Sequence, residues 1–265
     1  MDDLANELLE LARTVALAGG AIAREGRDRA LGAVTTKSTP TDVVTALDAE
    51  VEQFVSSQLR QARPQDAFIG EESVATPVRA GQVRWILDPI DGTVNYIYGH
   101  PQYALSLAAY IDDTALAAVV YNPASEELWH AHAGGGAWRG QLRLGGSPRR
   151  ELSQALIGTG FSYDADRRRE QGAMIARVLP QVRDIRRVGA CAIDLCYVAE
   201  GRLDGFYERN VNIWDGAAGA LICQEAGIRI GGWQGQPWDN EMLIAAPQPL
   251  FDAFHDALWA AHTAD

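Results

Sequence analysis

The run Trp85-Ile86-Leu87-Asp88-Pro89-Ile90-Asp91-Gly92-Thr93 constrains this chain more than any other, because an apolar stretch delivers two carboxylates into a rigid turn that ends in Gly-Thr. Two like charges about 4 Å apart repel by roughly 4 kcal/mol at an effective dielectric near 20, so a fold that converges them must supply a cation, a shared proton or solvent. Pro89 fixes its own φ and removes a backbone donor, Gly92 lets the backbone approach a ligand closely, and Thr93 adds a hydroxyl where N–H groups are free. A divalent metal beside a phosphate meets these requirements. Taken alone, the stretch is equally readable as a strand closed by an ordinary acidic Asp-Gly turn.

Further acids lie where such a site could use them. Phe68-Ile69-Gly70-Glu71-Glu72-Ser73 is a short apolar approach followed by two glutamates, and Ile213-Trp214-Asp215-Gly216-Ala217-Ala218-Gly219-Ala220 is an aspartate opening a run of small residues. The small residues read as a tightly packed helix. Asp215 then falls near a helix N-terminus, where capping alone would account for it. Glu71 and Glu72 taken alone also fit a solvated turn.

In order and spacing these pieces resemble the inositol monophosphatase family of magnesium-dependent, lithium-sensitive phosphatases. The matching motifs are WILDPIDGTVNYIYGHP over residues 85–101, WDGAAGALICQEAG over 214–227 and GEES over 70–73. Lys37, Thr45 and Asp48 near the start and RRVGACAIDLCYVAEGRLDGFYE over residues 186–208 extend the match over nearly the whole chain. The resemblance implies an α+β fold, the layered αβαβα sandwich of the inositol monophosphatase and fructose-bisphosphatase type, with the site at the junction of its layers. It implies that Glu71, Asp88, the carbonyl of Ile90, Asp91 and Asp215 bind two or three magnesium ions, Asp88 bridging two and Glu71 also serving a third. All five ligand atoms are oxygens, which suits a hard cation that keeps several waters. Gly92 and Thr93 are expected to cradle the phosphate, and Thr93, supported by Asp48 and with Glu71 in the catalytic set, to orient the attacking water. Glu208 is expected on substrate hydroxyls together with Asp215, and Gly189, Ala190 and Cys191 on the loop lining the alcohol side. The best-known animal members carry Thr-Ala where Ala190-Cys191 stand here, a change that leaves the metal ligands intact and bears on alcohol specificity.

The implied reaction is hydrolysis of a small phosphorylated polyol, with inositol monophosphate leading and fructose 1,6-bisphosphate, a nucleotide bisphosphate, NADP or histidinol phosphate as alternatives. A homodimer is expected on the same basis. A reading of another class is a regulatory protein of transcription complexes. Haloacid dehalogenase-type phosphatases also place Asp, Asp and Gly-Thr after an apolar strand, but with one residue between the aspartates; here Pro89 and Ile90 both intervene, which favours metal-activated water over an aspartyl-phosphate.

Acids exceed bases by 12 and the isoelectric point is near 4.8, which argues against a broad nucleic-acid footprint, since phosphate backbones are held by clustered Lys and Arg. The excess also explains the need for metal, the largest local source of positive charge for a phosphate dianion. The start, Met1-Asp2-Asp3-Leu4, lacks the basic and apolar regions of a secretory signal, and no run has the length of a membrane span, so a cytoplasmic protein is expected. Cys191, Cys196 and Cys223 sit in apolar surroundings without a Cys-x-x-Cys pair and read as buried thiols. His130 and His132 alternate along a strand pattern and read as a surface face.

The periodicity predicts helices over residues 4–24 and 42–62, strands over 67–70 and 83–87, and an antiparallel meander over 103–111, 115–121 and 127–133 closed by a Gly134-Gly135-Gly136 hairpin. Past Gly145-Gly146-Ser147-Pro148 it predicts alternating strands (155–160, 184–187, 205–208) and helices (167–178, 190–200, 215–226). One catalytic domain of two lobes is expected, residues 1–147 and 148–265, the first carrying most metal ligands and the second Glu208 and Asp215.

Overall fold

The computed structural model describes residues 2–30, 35–36, 43–44, 46–75 and 77–264. Lys37 and Thr45, singled out above, lie outside the described residues.

The first helix, α1 (Asp2–Ala30), buries Ala5, Leu8, Leu9, Ala12, Val15 and Ala16, the i, i+3, i+4 stripe of a helix lying on a sheet. A two-residue pair, β1 (Thr35–Thr36) and β2 (Val43–Val44), precedes α2 (Ala46–Ala62), so β2 takes residues that periodicity assigned to the start of the helix. These helices cover one face of a seven-stranded sheet made of β3 (Ala67–Gly70), β4 (Val83–Asp91), β5 (Ala104–Ile111), β6 (Thr114–Asn122), β7 (Glu127–His132), β8 (Gly136–Arg139) and β9 (Leu142–Arg143), in sequence order. A short helix, α3 (Thr93–Tyr98), separates β4 from β5. β3 runs parallel to β4 and every later pair is antiparallel, β5, β6 and β7 forming the expected meander. Period-2 alternation divides the faces of this sheet: Trp85 and Leu87 of β4 pack with α1 and α2, whereas Ile86 points the other way.

The second sheet has five strands, β10 (Leu156–Thr159), β11 (Asp184–Arg186), β12 (Gly205–Glu208), β13 (Ile228–Gly231) and β14 (Leu243–Pro247), in the order β11-β10-β12-β14-β13. Helices α4 (Ala165–Val178), α5 (Cys191–Glu200), α6 (Ile213–Glu225) and α7 (Gln248–Thr263) alternate with them. β10 is parallel to β11 and β12, while β14 is antiparallel to β12 and β13. Three apolar clusters define five layers. α1 and α2 meet the outer face of the large sheet, α5 and α6 fill the space between the sheets, and α4 and α7 cover the far face of the small one. The expected αβαβα sandwich is the fold. Because α6 has a sheet on each side, it is apolar all round, burying Ala217, Ala218, Ala220, Leu221, Ile222 and Cys223.

The sequence pattern did not give β1, α3, β9, β13, β14 or α7. His130 also differs from expectation, since it is buried on β7 beside Arg13 and Glu10 of α1 instead of lying on an open face. All three cysteines are buried free thiols. No helix among the described residues is long and apolar enough to cross a membrane.

The central layer depends on small residues. A Cβ at Gly219 of α6 would lie 2.6 Å from Leu195 Cδ1 and 2.7 Å from Leu195 Cβ on α5, closer than carbon atoms can pack. Gly219→Val should therefore push the two helices apart and destabilise the protein by about 1–3 kcal/mol. A thermal unfolding midpoint equal to wild type would show that the layer has slack that the packing does not suggest.

Candidate active site

β4 does not stop at its aspartates. It continues through Asp91, with a register shift between Asp88, which faces Ser106 of β5, and Asp91, which faces Ala104. This bulge re-aims the two carboxylates relative to a regular strand and lets both line one cleft. Ser106 donates from Oγ to the carbonyl of Trp214 at 3.3 Å, and Tyr110, four residues along β5, donates to Ala217 O at 3.2 Å. Those two bonds moor the first turn of α6 to the sheet and bring Asp215 to the same cleft. Asp215 is also the N3 residue of a capping box: it accepts from Asn212 N at 2.7 Å while the Asn212 side chain caps the helix. The capping role and the cleft position coexist in one residue.

Asp91 joins the large sheet to α5. Its Oδ1 accepts from Cys191 N at 3.2 Å and its Oδ2 from Ala192 N at 2.7 Å, both orphan donors of the first helical turn. Glu71 follows β3 in a bend whose N–H donates to Leu87 O at 3.2 Å. The next N–H, of Glu72, donates to Glu52 Oε2 at 2.9 Å. Glu52 is a buried residue of α2, one turn after buried Asp48, and its carboxylate occupies the space a side chain at Gly70 would need. Glu52 thus holds the turn that presents Glu71. Asp88 accepts from Ile90 N at 3.0 Å, and Thr93 Oγ1 donates to Ile90 O at 3.1 Å. Gly92, with φ of 87°, is the left-handed N-cap of α3, and a Cβ there would come within 2.9 Å of Gln102 O and 3.0 Å of the Ala190 Cβ.

The cleft has a volume of about 530 Å³ and gathers Glu71, Asp88, Ile90, Asp91, Gly92, Thr93, Gly189, Cys191, Glu208 and Asp215. Two predicted residues lie just behind its wall. Ala190 is buried as the N-cap of α5, and Asp48 is buried in the first turn of α2. Glu208 ends β12 on the face of Phe206, toward the central layer, and Gly160 after β10 leaves room for its carboxylate, which a Cβ would strike.

Sequence reasoning missed several groups. Arg187 is the cation among the residues lining the cleft. Asp194 on α5 is buried with Oδ1 unpartnered, and Asn210 Oδ1 and Trp214 Nε1 are buried without hydrogen-bond partners at the cleft wall. Asn210 also adopts φ of 68°, a conformation asparagine tolerates better than most residues. Its place after the Glu208-Arg209 pair was the available signal.

Burial, then the charges of Glu71, Asp91, Asp215 and Asp48, holds the Asp88 carboxyl well above the usual range. Burial raises Asp91 to about 7 against the opposing hydrogen bond from Ala192 N. Burial and then Asp91 and Glu71 raise Asp215 strongly. Glu208 is pushed to about 8 by burial and by Asp215, with Arg187 opposing. Four like-charged groups crowded in low dielectric are a demand for a cation. The donors are all carboxylate and carbonyl oxygens, the set magnesium takes. Among the described residues no group of three or more His, Cys, Asp or Glu side chains is already placed to hold a metal ion; the carboxylates share the cleft without forming a finished coordination site.

By its likeness to known proteins the chain is a phosphoric monoester hydrolase. It belongs to the inositol monophosphatase family, whose pattern matches residues 4–263. It is 46% identical over 209 residues, 75% of this chain and 71% of the other, to the inositol-1-monophosphatase SuhB of Mycobacterium tuberculosis (strain ATCC 25618 / H37Rv). It is 36% identical over 247 residues, 92% of each chain, to the Nus factor SuhB of Pasteurella multocida. The solved structure of Mycobacterium tuberculosis SuhB superposes with a TM-score of 0.84 at 36% identity, covering 98% of both chains.

The raised carboxyls fix the sign of a pH effect. In the absence of divalent metal the folded state holds protons on Asp91 to about pH 7 and on Glu208 to about pH 8. An unfolded carboxyl has already lost its proton above about pH 4.3. Stability contributed by these groups is therefore complete at low pH and lost as pH rises through the folded values, at up to about 1.4 kcal/mol per pH unit for each group. Thermal midpoints of metal-free protein should fall between about pH 5 and 8, and Glu208→Gln should flatten the upper part of that fall. A midpoint that rises over this window would mean the carboxylates are stabilised by a partner already present.

Proposed function

We propose that the protein hydrolyses the phosphomonoester of a small polyol, with inositol monophosphate the leading substrate, in a magnesium-dependent reaction. The observation that carries this reading is the convergence of Glu71, Asp88, Asp91 and Asp215, from three separate segments, on one cleft that also holds the Gly92-Thr93 turn. In this reading Glu71, Asp88, the Ile90 carbonyl, Asp91 and Asp215 hold the metal. Bound magnesium supplies the positive charge that lowers the pKa of a coordinated water and offsets charge on the phosphoryl and leaving oxygens.

The chain's own groups divide the remaining work. The N–H groups of Gly92 and Thr93 receive phosphate oxygens. Thr93 Oγ1, with Asp48 behind it, orients the water for in-line attack. Glu208 accepts hydrogen bonds from polyol hydroxyls, and Gly189, Ala190 and Cys191 shape the alcohol side. Asp91 has both oxygens committed to backbone N–H groups, which weakens it as a covalent nucleophile and supports attack by water. Phosphate release from inositol monophosphate, fructose 1,6-bisphosphate, a nucleotide bisphosphate, NADP and histidinol phosphate, each with magnesium, tests the choice of substrate.

A regulatory role in transcription complexes is the second reading, supported by the name of the Pasteurella relative. It does not use the carboxylates, so a variant inactive as a phosphatase should retain it; loss of both in that variant would count against it.

Asp88→Asn removes a ligand while keeping shape and lowering like-charge repulsion, so it should abolish magnesium-dependent turnover and leave the metal-free protein at least as heat-stable as wild type. Retained turnover would overturn the metal assignment. Glu208→Gln should lower kcat/KM for inositol monophosphate by roughly tenfold or more, from unpaired substrate hydroxyls, with a much smaller effect on 4-nitrophenyl phosphate. An equal loss on both substrates would place Glu208 with the metal or the fold.

A further inference from the structure

Helix α5 connects two places of opposite charge. Its N-cap, Ala190, stands beside the acidic cleft, and its C-cap, Gly201, opens onto a second cavity, of about 590 Å³, about 15 Å away along the helix. Arg149, Arg150, Arg183 and Arg202 line this second cavity, against only Asp204 and Glu151. In a chain where acids exceed bases by 12, four guanidinium groups around one space run against the average charge.

Two of the four are held in place from behind. Buried Asp204 accepts from Leu156 N at 2.7 Å and from the Ser147 hydroxyl, and lies 3.2 Å from Arg149 Nε. Arg202 pairs with Glu127 and, at 3.1 Å, with Glu200, and lies over the Tyr197 ring at 4.9 Å. Their carboxylates are used up in fixing the wall. Arg150 and Arg183 are exposed and pair with no side chain among the described residues. Arg183 is anchored through its backbone, its N–H donating to Ala155 O at 3.0 Å. The cavity therefore presents two committed and two uncommitted cations on a supported frame, the arrangement that recognises phosphoryl oxygens in forked pairs. No lining residue is aromatic, so a nucleobase would find no ring to stack on.

We propose that this cavity is a second binding site, separate from the cleft, for a compact, non-aromatic anion carrying two or more phosphate groups. The site does not depend on the phosphatase reading, because none of its arginines lines the cleft.

The test is isothermal titration calorimetry of the full chain with inorganic pyrophosphate, without divalent cations, so that the cleft offers the probe no metal to bind. Wild type should show saturable binding at sub-millimolar pyrophosphate and weaker binding of inorganic phosphate. Arg150→Ala/Arg183→Ala, with an unchanged thermal midpoint, should weaken pyrophosphate binding by roughly tenfold or more. Arg60→Ala/Arg79→Ala, which removes two exposed arginines elsewhere, should bind as wild type does. Absence of saturable binding at millimolar probe would overturn the proposal. So would equal affinity in the Arg150/Arg183 variant, equal loss in both double variants, or phosphate binding as tightly as pyrophosphate, since these point in turn to another site, to bulk charge and to a single-phosphate pocket.

Discussion

The carboxylate of Asp91 on the first N–H groups of α5 is the interaction on which the rest of the site depends. A strand end carrying an unpaired acid in the interior would be unstable, and a helix start with unsatisfied donors in the interior would be unstable too; each settles the other. The same contact fixes the middle layer against the large sheet. It is the reason a residue of β4 and the loop before α5, about 100 positions apart in sequence, share one cleft.

Around that joint the fold repeatedly uses side chains of one layer to hold the backbone of the next. Ser106 and Tyr110 of β5 grip carbonyls of α6, Asn95 of α3 donates to Val188 O at 2.9 Å and to Gln102 O at 2.7 Å, and Glu52 of α2 grips the turn at Glu72. Acids placed by such contacts cannot retreat into solvent or from one another by small backbone shifts, so burial first and mutual repulsion second raise their carboxyl pKa values. A cation entering the cleft would relieve that repulsion.

Much of this was legible in the sequence for a definite reason. The apolar run into Asp88-Pro89-Ile90-Asp91-Gly92-Thr93, the glycine before Glu71 and the small residues after Asp215 are local patterns, and local patterns survive in one dimension. Glu52, Asp194 and Arg187 were not legible because nothing nearby in sequence distinguishes them from solvated helix and strand charges; only their tertiary neighbours do. β13, β14 and α7 lie beyond the motifs, which end at residue 227, although Leu250, Phe251, Phe254, Leu258 and Ala261 carry a plain helical stripe. His130 was misplaced on the surface because a half-buried alternating strand looks the same from sequence whichever face α1 covers.

The cleft draws its walls from different layers, and that division separates reaction from selectivity. Glu71, Asp88, Asp91 and the Gly92-Thr93 turn come from the large sheet and the turns at its strand ends, with Asp215 added by α6. Glu208, the 160–164 segment, Arg187 and Asn210 come from strand ends and loops of the small sheet. Under the proposed function, the groups that handle phosphate and metal rest on buried strands of the large sheet and on the first turn of α6, where substitutions are costly. The groups that meet the alcohol rest on loops that can vary with little effect on that core. The Ala190-Cys191 pair sits between the two sets: its backbone anchors Asp91 through the Cys191 N–H, the Cys191 side chain lines the cleft, and in the proposed function the pair shapes the alcohol side. Side-chain changes at these two positions can therefore alter which alcohol is accepted without releasing the carboxylate, because the N–H that holds Asp91 belongs to the backbone and is common to every residue that could stand at 191 except proline.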